Sequence, residues 1–249
     1  MRSLLFEIAY WVLSTFYVLT AVVAAALPGR GPVTAVIRRY TRRMLGAMAL
    51  FAGIKVVLKG RERLPPGGVS VAAKHQSWGD GFVMFANIDN LVFVTGDHLE
   101  KIPLLSGLLR KLGAIVVDSC GGPEARRALS RSAAAANAEG RRILIYPEGH
   151  LAKPGEHYRY RTGVFHMYRD FDLPVVPVAT NLGLYWRQQD FRKNPGTATV
   201  EILDPIPTGL DREVFMARLE GVIEARTAEL IAGARGEPVK ASVLMPTPA

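Results

Sequence analysis

Cysteine is almost absent. Cys120 is the only one in 249 residues, so no intrachain disulfide can form and thiolate metal clusters are excluded. This fits a reducing compartment, and the lone thiol reads as a spectator in a loop. The histidines His98, His157 and His166 are not at metal-ligand spacing, and no catalytic metal is expected. Internal repeats and low-complexity segments are lacking. Acidic side chains are outnumbered, 22 against 31 basic ones, for a net charge of +9. That balance favours polyanionic partners. The chain has no zinc-finger spacing, no basic-region heptads and no aromatic RNA-binding signature, so nucleic acid is set aside. Acidic lipid headgroups and acidic carrier proteins remain.

Charge is also missing from Ile8 to Leu27. About twenty apolar residues are enough to cross a bilayer core. The run is longer than a signal-peptide core, and Ala24-Ala25-Ala26 only loosely resembles a cleavage site, so an uncleaved anchor is expected. Tyr10 and Trp11 sit near one end, where aromatic rings favour the interface. Arg2 alone precedes the run, with Glu7 beside it; Arg30, Arg38, Arg39, Arg42 and Arg43 follow. The positive-inside rule then places the rest of the chain in the cytoplasm, and the arginines suit anionic lipid. Met44 to Ile54 is too short to span and reads as an interfacial helix or a core helix.

Beyond the anchor, strand-like runs (69–73, 91–95, 114–117, 142–146, 174–179, 197–203) alternate with helix-like ones (79–85, 102–112, 123–137, 211–231). Such alternation argues for a layered α/β domain. Pro177 suggests an edge or a sheet end for its strand. Asp211 is placed to cap the last helix. The expected division is an anchor and basic segment over 1–44, a catalytic domain over 45–232 and a flexible tail over 233–249.

His75 and Asp80 are the candidate catalytic pair. Five residues on one helix differ by roughly 140° and face apart. They meet if His75 lies in a turn and Asp80 in the first helical turn beyond it. Asp80 then accepts a hydrogen bond from one ring nitrogen, which fixes the tautomer and leaves the other nitrogen as a base. Such a pair can deprotonate an alcohol for direct attack on a thioester. Ser77 lacks the Gly-x-Ser-x-Gly setting of a hydrolase nucleophile. A Pro-Glu-Gly turn at 147–149 follows a strand, and backbone N–H groups there can hold a phosphate or an oxyanion.

Four segments in order carry a wider resemblance. Lys74-His75-Gln76-Ser77-x-x-Asp80, Leu112-Gly113-Ala114-Ile115-Val116-Val117-Asp118, Tyr146-Pro147-Glu148-Gly149 and Val175-Val176-Pro177-Val178-Ala179 resemble the motifs of the glycerolipid acyltransferase family, in particular its bacterial 1-acyl-sn-glycerol-3-phosphate acyltransferases. Tyr160-Arg161-Thr162-Gly163 and Pro205-Ile206-Pro207 fall where the family has similar turns, and the likeness covers residues 45–232. It implies an α/β fold, a mixed sheet flanked by helices, behind an N-terminal membrane helix at the bacterial inner membrane. It implies acyl-CoA or acyl carrier protein as donor substrate, with no further cofactor. The acceptor implied is a lysophospholipid, usually lysophosphatidic acid. Catalysis would fall to His75 and Asp80. The resemblance puts Glu148 and Gly149 in the acceptor site, joined by the neighbouring Lys74, His150 and Arg161.

The pattern breaks in two places. The second motif usually ends Asp-Arg, and here it is Asp118-Ser119. The third usually continues Thr-Arg, and here it is His150-Leu151. The lysine often found near Thr95-Gly96-Asp97 is missing as well. Guanidinium groups hold phosphates best, so Lys74, Lys153, Arg159 and Arg161 must substitute, or the acceptor is another lyso-lipid, such as a lyso-aminolipid. A catalytically silent lipid-binding homologue is the remaining alternative.

Overall fold

The computed structural model describes residues 1–102, 104–117, 122–188 and 190–238. Asp118, Ser119 and Cys120, and the tail from 239 onward, lie outside the described residues. A seven-stranded sheet runs in the order β1-β7-β6-β2-β5-β3-β4. The strands are β1 (Ile54–Lys59), β2 (Val69–Ala73), β3 (Leu91–Gly96), β4 (Ile115–Val117), β5 (Arg142–Ile145), β6 (Val175–Thr180) and β7 (Gly196–Ile202). All neighbours pair parallel except β6 with β7.

Helices cover both faces, so the central strands β2 and β6 are buried along their whole length, as parallel strands between two layers must be. On one face lie α1 (Arg2–Ala25), α2 (Gly31–Ala47) and α3 (Gly79–Asn87); on the other lie α5 (Pro123–Ala138), α6 (Gly163–Phe171) and α7 (Arg212–Arg235). The short α4 (Leu105–Leu112) packs beside α1 and α2. The strand period of two sorts the side chains: Val71 and Ala73 of β2 enter the α1–α3 core and Ala72 the opposite one.

The first two helices form a hairpin held to the domain. Ser14 and Tyr40 share a hydrogen bond of 2.8 Å, and Tyr17 packs on Tyr40. Phe6 is fully buried and meets Trp186 edge-on at 5.1 Å. The opposite face of α1 exposes Ile8, Trp11, Val12, Phe16, Leu19 and Val23. By length and composition α1 can cross a membrane, but its inner stripe is already occupied by protein. Phe6→Ala should lower stability by about 3–5 kcal/mol through the cavity it leaves. Denaturant unfolding in detergent measures this, and a loss below about 1 kcal/mol would place α1 off the domain.

Several expectations need correction. Met44 to Ile54 is not an interfacial helix. Met44 lies in the last turn of α2, Met48–Ala52 is a π-helical turn and Ile54 opens β1, with Met44, Met48, Ala52 and Ile54 all in the core. Arg30 and Arg38 are partly spent on the domain, pairing with Glu139 and Asp89, whereas Arg39, Arg42 and Arg43 stay exposed. Pro177 sits in an internal strand, not at an edge. Its carbonyl accepts the Leu203 N–H just past the end of β7, so the donor that proline lacks falls where the ladder is finishing. Asp211 is the N-cap residue of α7 by position, but its side chain makes no capping bond. That helix runs on through Ala232 to Arg235, where Gly236 turns it off at φ +69°.

Candidate active site

β2 and β5 are adjacent, and the loops leaving their C-terminal ends carry the candidate residues. Strand ends of this kind are where open α/β sheets place their ligands. Alternation continues past Ala73: Lys74 turns toward the α7 face and His75 toward the α3 face.

His75 lies in the turn between β2 and α3, and Asp80 in the first turn of α3. His75 Nδ1 is 3.0 Å from Asp80 Oδ2. A carboxylate only accepts, so Nδ1 carries the proton and Nε2 keeps its lone pair. The same Oδ2 accepts the backbone N–H groups of Gln76 and Ser77, each at 2.8 Å, so the carboxylate shapes the loop as well as orienting the ring. The Ser77 hydroxyl is fully buried and accepts the Gly79 N–H at 3.0 Å. It organises the start of α3 and is not exposed as a nucleophile. The His75 side chain is 19% exposed, and its ring stacks on Tyr146 at 3.9 Å, tilted by 16°. Burial lifts the Tyr146 phenol well above its usual range, so it stays neutral beside the pair.

The loop after β5 folds back onto this turn. Ala152 donates its N–H to the His75 carbonyl at 2.8 Å, and Arg161 donates to the Pro147 carbonyl at 2.8 Å. At the surface Arg161 Nη2 lies 3.0 Å from His150 Nε2. Arginine can only donate, so His150 accepts there as a neutral ring. Gly149 has φ +71°, and a β-carbon on it would stand 2.7 Å from Arg161 Nε. The positive φ is what favours glycine here; a larger residue would also displace the Arg161 side chain. Its N–H closes the turn onto the Tyr146 carbonyl at 3.0 Å, so it is not free for an oxyanion as the sequence implied.

The seven candidates therefore separate into three sets, a partly exposed pair, an exposed trio and a buried pair. His75 pairs with Asp80, and Gly149, His150 and Arg161 stand together at the surface, in the loop whose Ala152 binds the His75 carbonyl. Lys74 and Glu148 do not join the acceptor face. Both side chains are fully buried and pair with each other at 3.1 Å, because Lys74 points to the α7 side, where Glu224 takes its ammonium at 2.9 Å. Burial raises the carboxyl of Glu148 above its usual range, against the pull of Lys74 and the Tyr158 N–H. Lys153 and Arg159 are exposed in the same loop as Arg161.

Tyr146, Tyr160 and Glu224 were not singled out as site residues from sequence. Tyr146 was findable as the first residue of the third motif. Glu224 has no local signal, being one glutamate in a long helix. Trp78, half exposed next to His75's turn, joins Tyr10, Trp11, Trp186 and Phe191 around a cleft of about 190 Å³.

A His–Asp pair just beyond the end of a central parallel strand, with the intervening serine buried, has the form of a general base and its orienting carboxylate. The chain belongs to the acyltransferase family, whose model matches residues 55–181. It is 26% identical over 226 residues, 91% of this chain and 87% of the relative, to the 1-acyl-sn-glycerol-3-phosphate acyltransferase of Pseudomonas aeruginosa. It is also 26% identical over 205 residues, 80% of this chain and 69% of the relative, to 1-acyl-sn-glycerol-3-phosphate acyltransferase alpha of Homo sapiens. The crystal structure of the 1-acyl-sn-glycerophosphate (LPA) acyltransferase from Thermotoga maritima shares the fold, with a TM-score of 0.75 at 22% identity over 93% of this chain and 98% of that one.

Proposed function

We propose that this protein transfers a fatty acyl group from a thioester, acyl-CoA or acyl carrier protein, to the free hydroxyl of 1-acyl-sn-glycerol-3-phosphate, yielding phosphatidic acid. The observation that carries the reading is the His75–Asp80 hydrogen bond, which leaves Nε2 basic in a partly exposed ring. Nε2 takes the hydroxyl proton as the oxygen attacks the thioester carbonyl. The tetrahedral intermediate then collapses, the C–S bond breaks, and the imidazolium returns the proton to the departing thiolate. Asp80 stabilises the imidazolium while it exists.

Arg161, steadied by His150, is the cation that receives the acceptor phosphate, with Lys153 and Arg159 in the same loop. A guanidinium matches the phosphate oxygens as a fork. Arg161→Ala should raise KM for lysophosphatidic acid about ten- to a hundredfold and leave kcat within about threefold, as loss of ground-state binding does. Steady-state kinetics in mixed micelles reads this; an unchanged KM would remove Arg161 from the acceptor site.

The exposed apolar face of α1, beside the arginines of α2, supports a domain seated in one face of the bilayer. Because α1's inner stripe is packed on protein, an interfacial hairpin suits it better than a free-standing span. Were α1 to span instead, the charge order around it would favour the cytoplasmic side of the inner membrane. A different lyso-lipid acceptor draws its support from Leu151, which stands where the family has an arginine. The direct test supplies the purified protein with lysophosphatidic acid and an acyl-CoA; one thiol released per phosphatidic acid formed is expected, and thiol release without phosphatidic acid counts against the reading.

A further inference from the structure

Lys74 is a buried cation with more than one anion. Its Nζ reaches Glu224 Oε1 at 2.9 Å and Oε2 at 3.0 Å, Glu148 Oε2 at 3.1 Å and the Glu156 carbonyl at 3.2 Å. Glu224 Oε1 also accepts the Tyr160 hydroxyl at 2.7 Å, and Glu148 Oε2 accepts the Tyr158 N–H at 2.8 Å. Nearby on the same helix, Glu220 lies 3.5 Å from His157. These contacts tie α7 to three pieces of the site: the residue before His75, the Pro147–Gly149 turn, and the 156–161 segment that carries Arg161.

A buried charge set is poor evidence for stability, because desolvation offsets much of the attraction, and packed apolar residues can replace it without loss. Its better-attested use is to specify one geometry. Here the geometry specified is that of the two loops that must meet over the reacting hydroxyl. An ammonium held between carboxylates from the β5 loop and from α7 fixes where β2 ends, and the next residue is the base.

We infer that Glu224 on α7, remote in sequence from the four motifs, is a positioning residue for the His75 turn and the acceptor loop, acting through Lys74 and Tyr160. It touches neither substrate nor the reacting atoms. The inference rests on the proposed acyl transfer, and α7 is then part of the catalytic machinery as well as part of the core.

The test compares Glu224→Gln, the apolar pair Lys74→Met/Glu224→Leu and Tyr160→Phe, each per folded molecule in detergent. Glu224→Gln should lose at least about tenfold in kcat with KM for lysophosphatidic acid within about threefold. The apolar pair leaves the buried Glu148 without its cation and should unfold more easily than the parent, yet its folded molecules should show the same loss in kcat, since it does not restore the geometry. Tyr160→Phe should lose about three- to tenfold. Wild-type kcat in the apolar pair would overturn the inference and leave Glu224 a purely structural role. If Glu224→Gln does not fold, the other two variants decide in the same way. A second readout is independent of the acceptor: the rate at which diethyl pyrocarbonate modifies His75, followed by peptide mass spectrometry. It should change at least about threefold in the apolar pair, and an unchanged rate counts against the inference. A parent protein that fails to acylate lysophosphatidic acid, with the His75 rate still shifted in the variant, contradicts the proposed function and not the role of Glu224.

Discussion

Replacing His75 by alanine should reduce acyl transfer by at least about a thousandfold while the protein still partitions to membranes. General bases contribute roughly 10²–10⁴ in rate, and the described residues offer no substitute here. Asp80 is buried and its Oδ2 is committed to two backbone N–H groups. Ser77 is fully enclosed. His150 faces Arg161 through its accepting nitrogen. The variant keeps the α1–α2 hairpin, which lies apart from the ring, so vesicle flotation should be unchanged. Full activity in this variant would end the mechanism. Turnover in the parent that disappears with His75 also disposes of the reading as a silent lipid-binding homologue.

Asp80→Asn removes the charge and the constraint on the tautomer. An amide can donate as well as accept, so it no longer forces the proton onto His75 Nδ1, but its oxygen is the same size as the carboxylate oxygen it replaces and can still accept from Gln76 and Ser77, so the loop survives. The negative charge that stabilises the imidazolium does not. The expected loss in kcat is about 10²–10⁴, by analogy with other His–carboxylate pairs, with KM for the acceptor nearly unchanged. Because the two residues act as one unit, the double variant His75→Ala/Asp80→Asn should be no slower than His75→Ala alone. Additive losses would mean that Asp80 acts elsewhere. A large fall in thermal stability would mean that its main work is holding the turn.

The chemistry was more legible in the chain than the site's walls. His75 and Asp80 are close in sequence, and a turn followed by a helix was enough to bring them together. The alternating runs likewise implied a layered α/β domain, because a buried parallel strand is a continuous apolar stretch. β1 escaped notice since Ile54 closes the apolar run of α2, and its Lys55 and Lys59 look like loop charges; they are the outward residues of an edge strand, where lysine discourages further pairing. Glu148 was assigned to the acceptor by the family resemblance, and Lys74 as a cation able to replace the missing arginines, although charged side chains can also be buried when they are paired. Their burial depends on Glu224, which is 150 residues from Lys74, and no local pattern announces a partner at that distance. The direction of Lys74 was readable in principle from strand alternation, once β2 is seen to extend its period through residue 75.

The absence of arginine at Ser119 and Leu151 bears on the acceptor. The surface trio of Gly149, His150 and Arg161 offers one steadied guanidinium in the loop that folds back onto the His75 turn, and Lys153 and Arg159 add charge in the same loop. That arrangement suits an acceptor that carries a phosphate. The most direct test is to give the purified protein one acyl-CoA and an equimolar mixture of lysophosphatidic acid, lysophosphatidylethanolamine, lysophosphatidylglycerol and a lyso-aminolipid, and to read the products by mass spectrometry, with His75→Ala alongside. Phosphatidic acid as the main product, absent in the variant, is the predicted result. Preferential acylation of another lyso-lipid, or product that persists without His75, would contradict it.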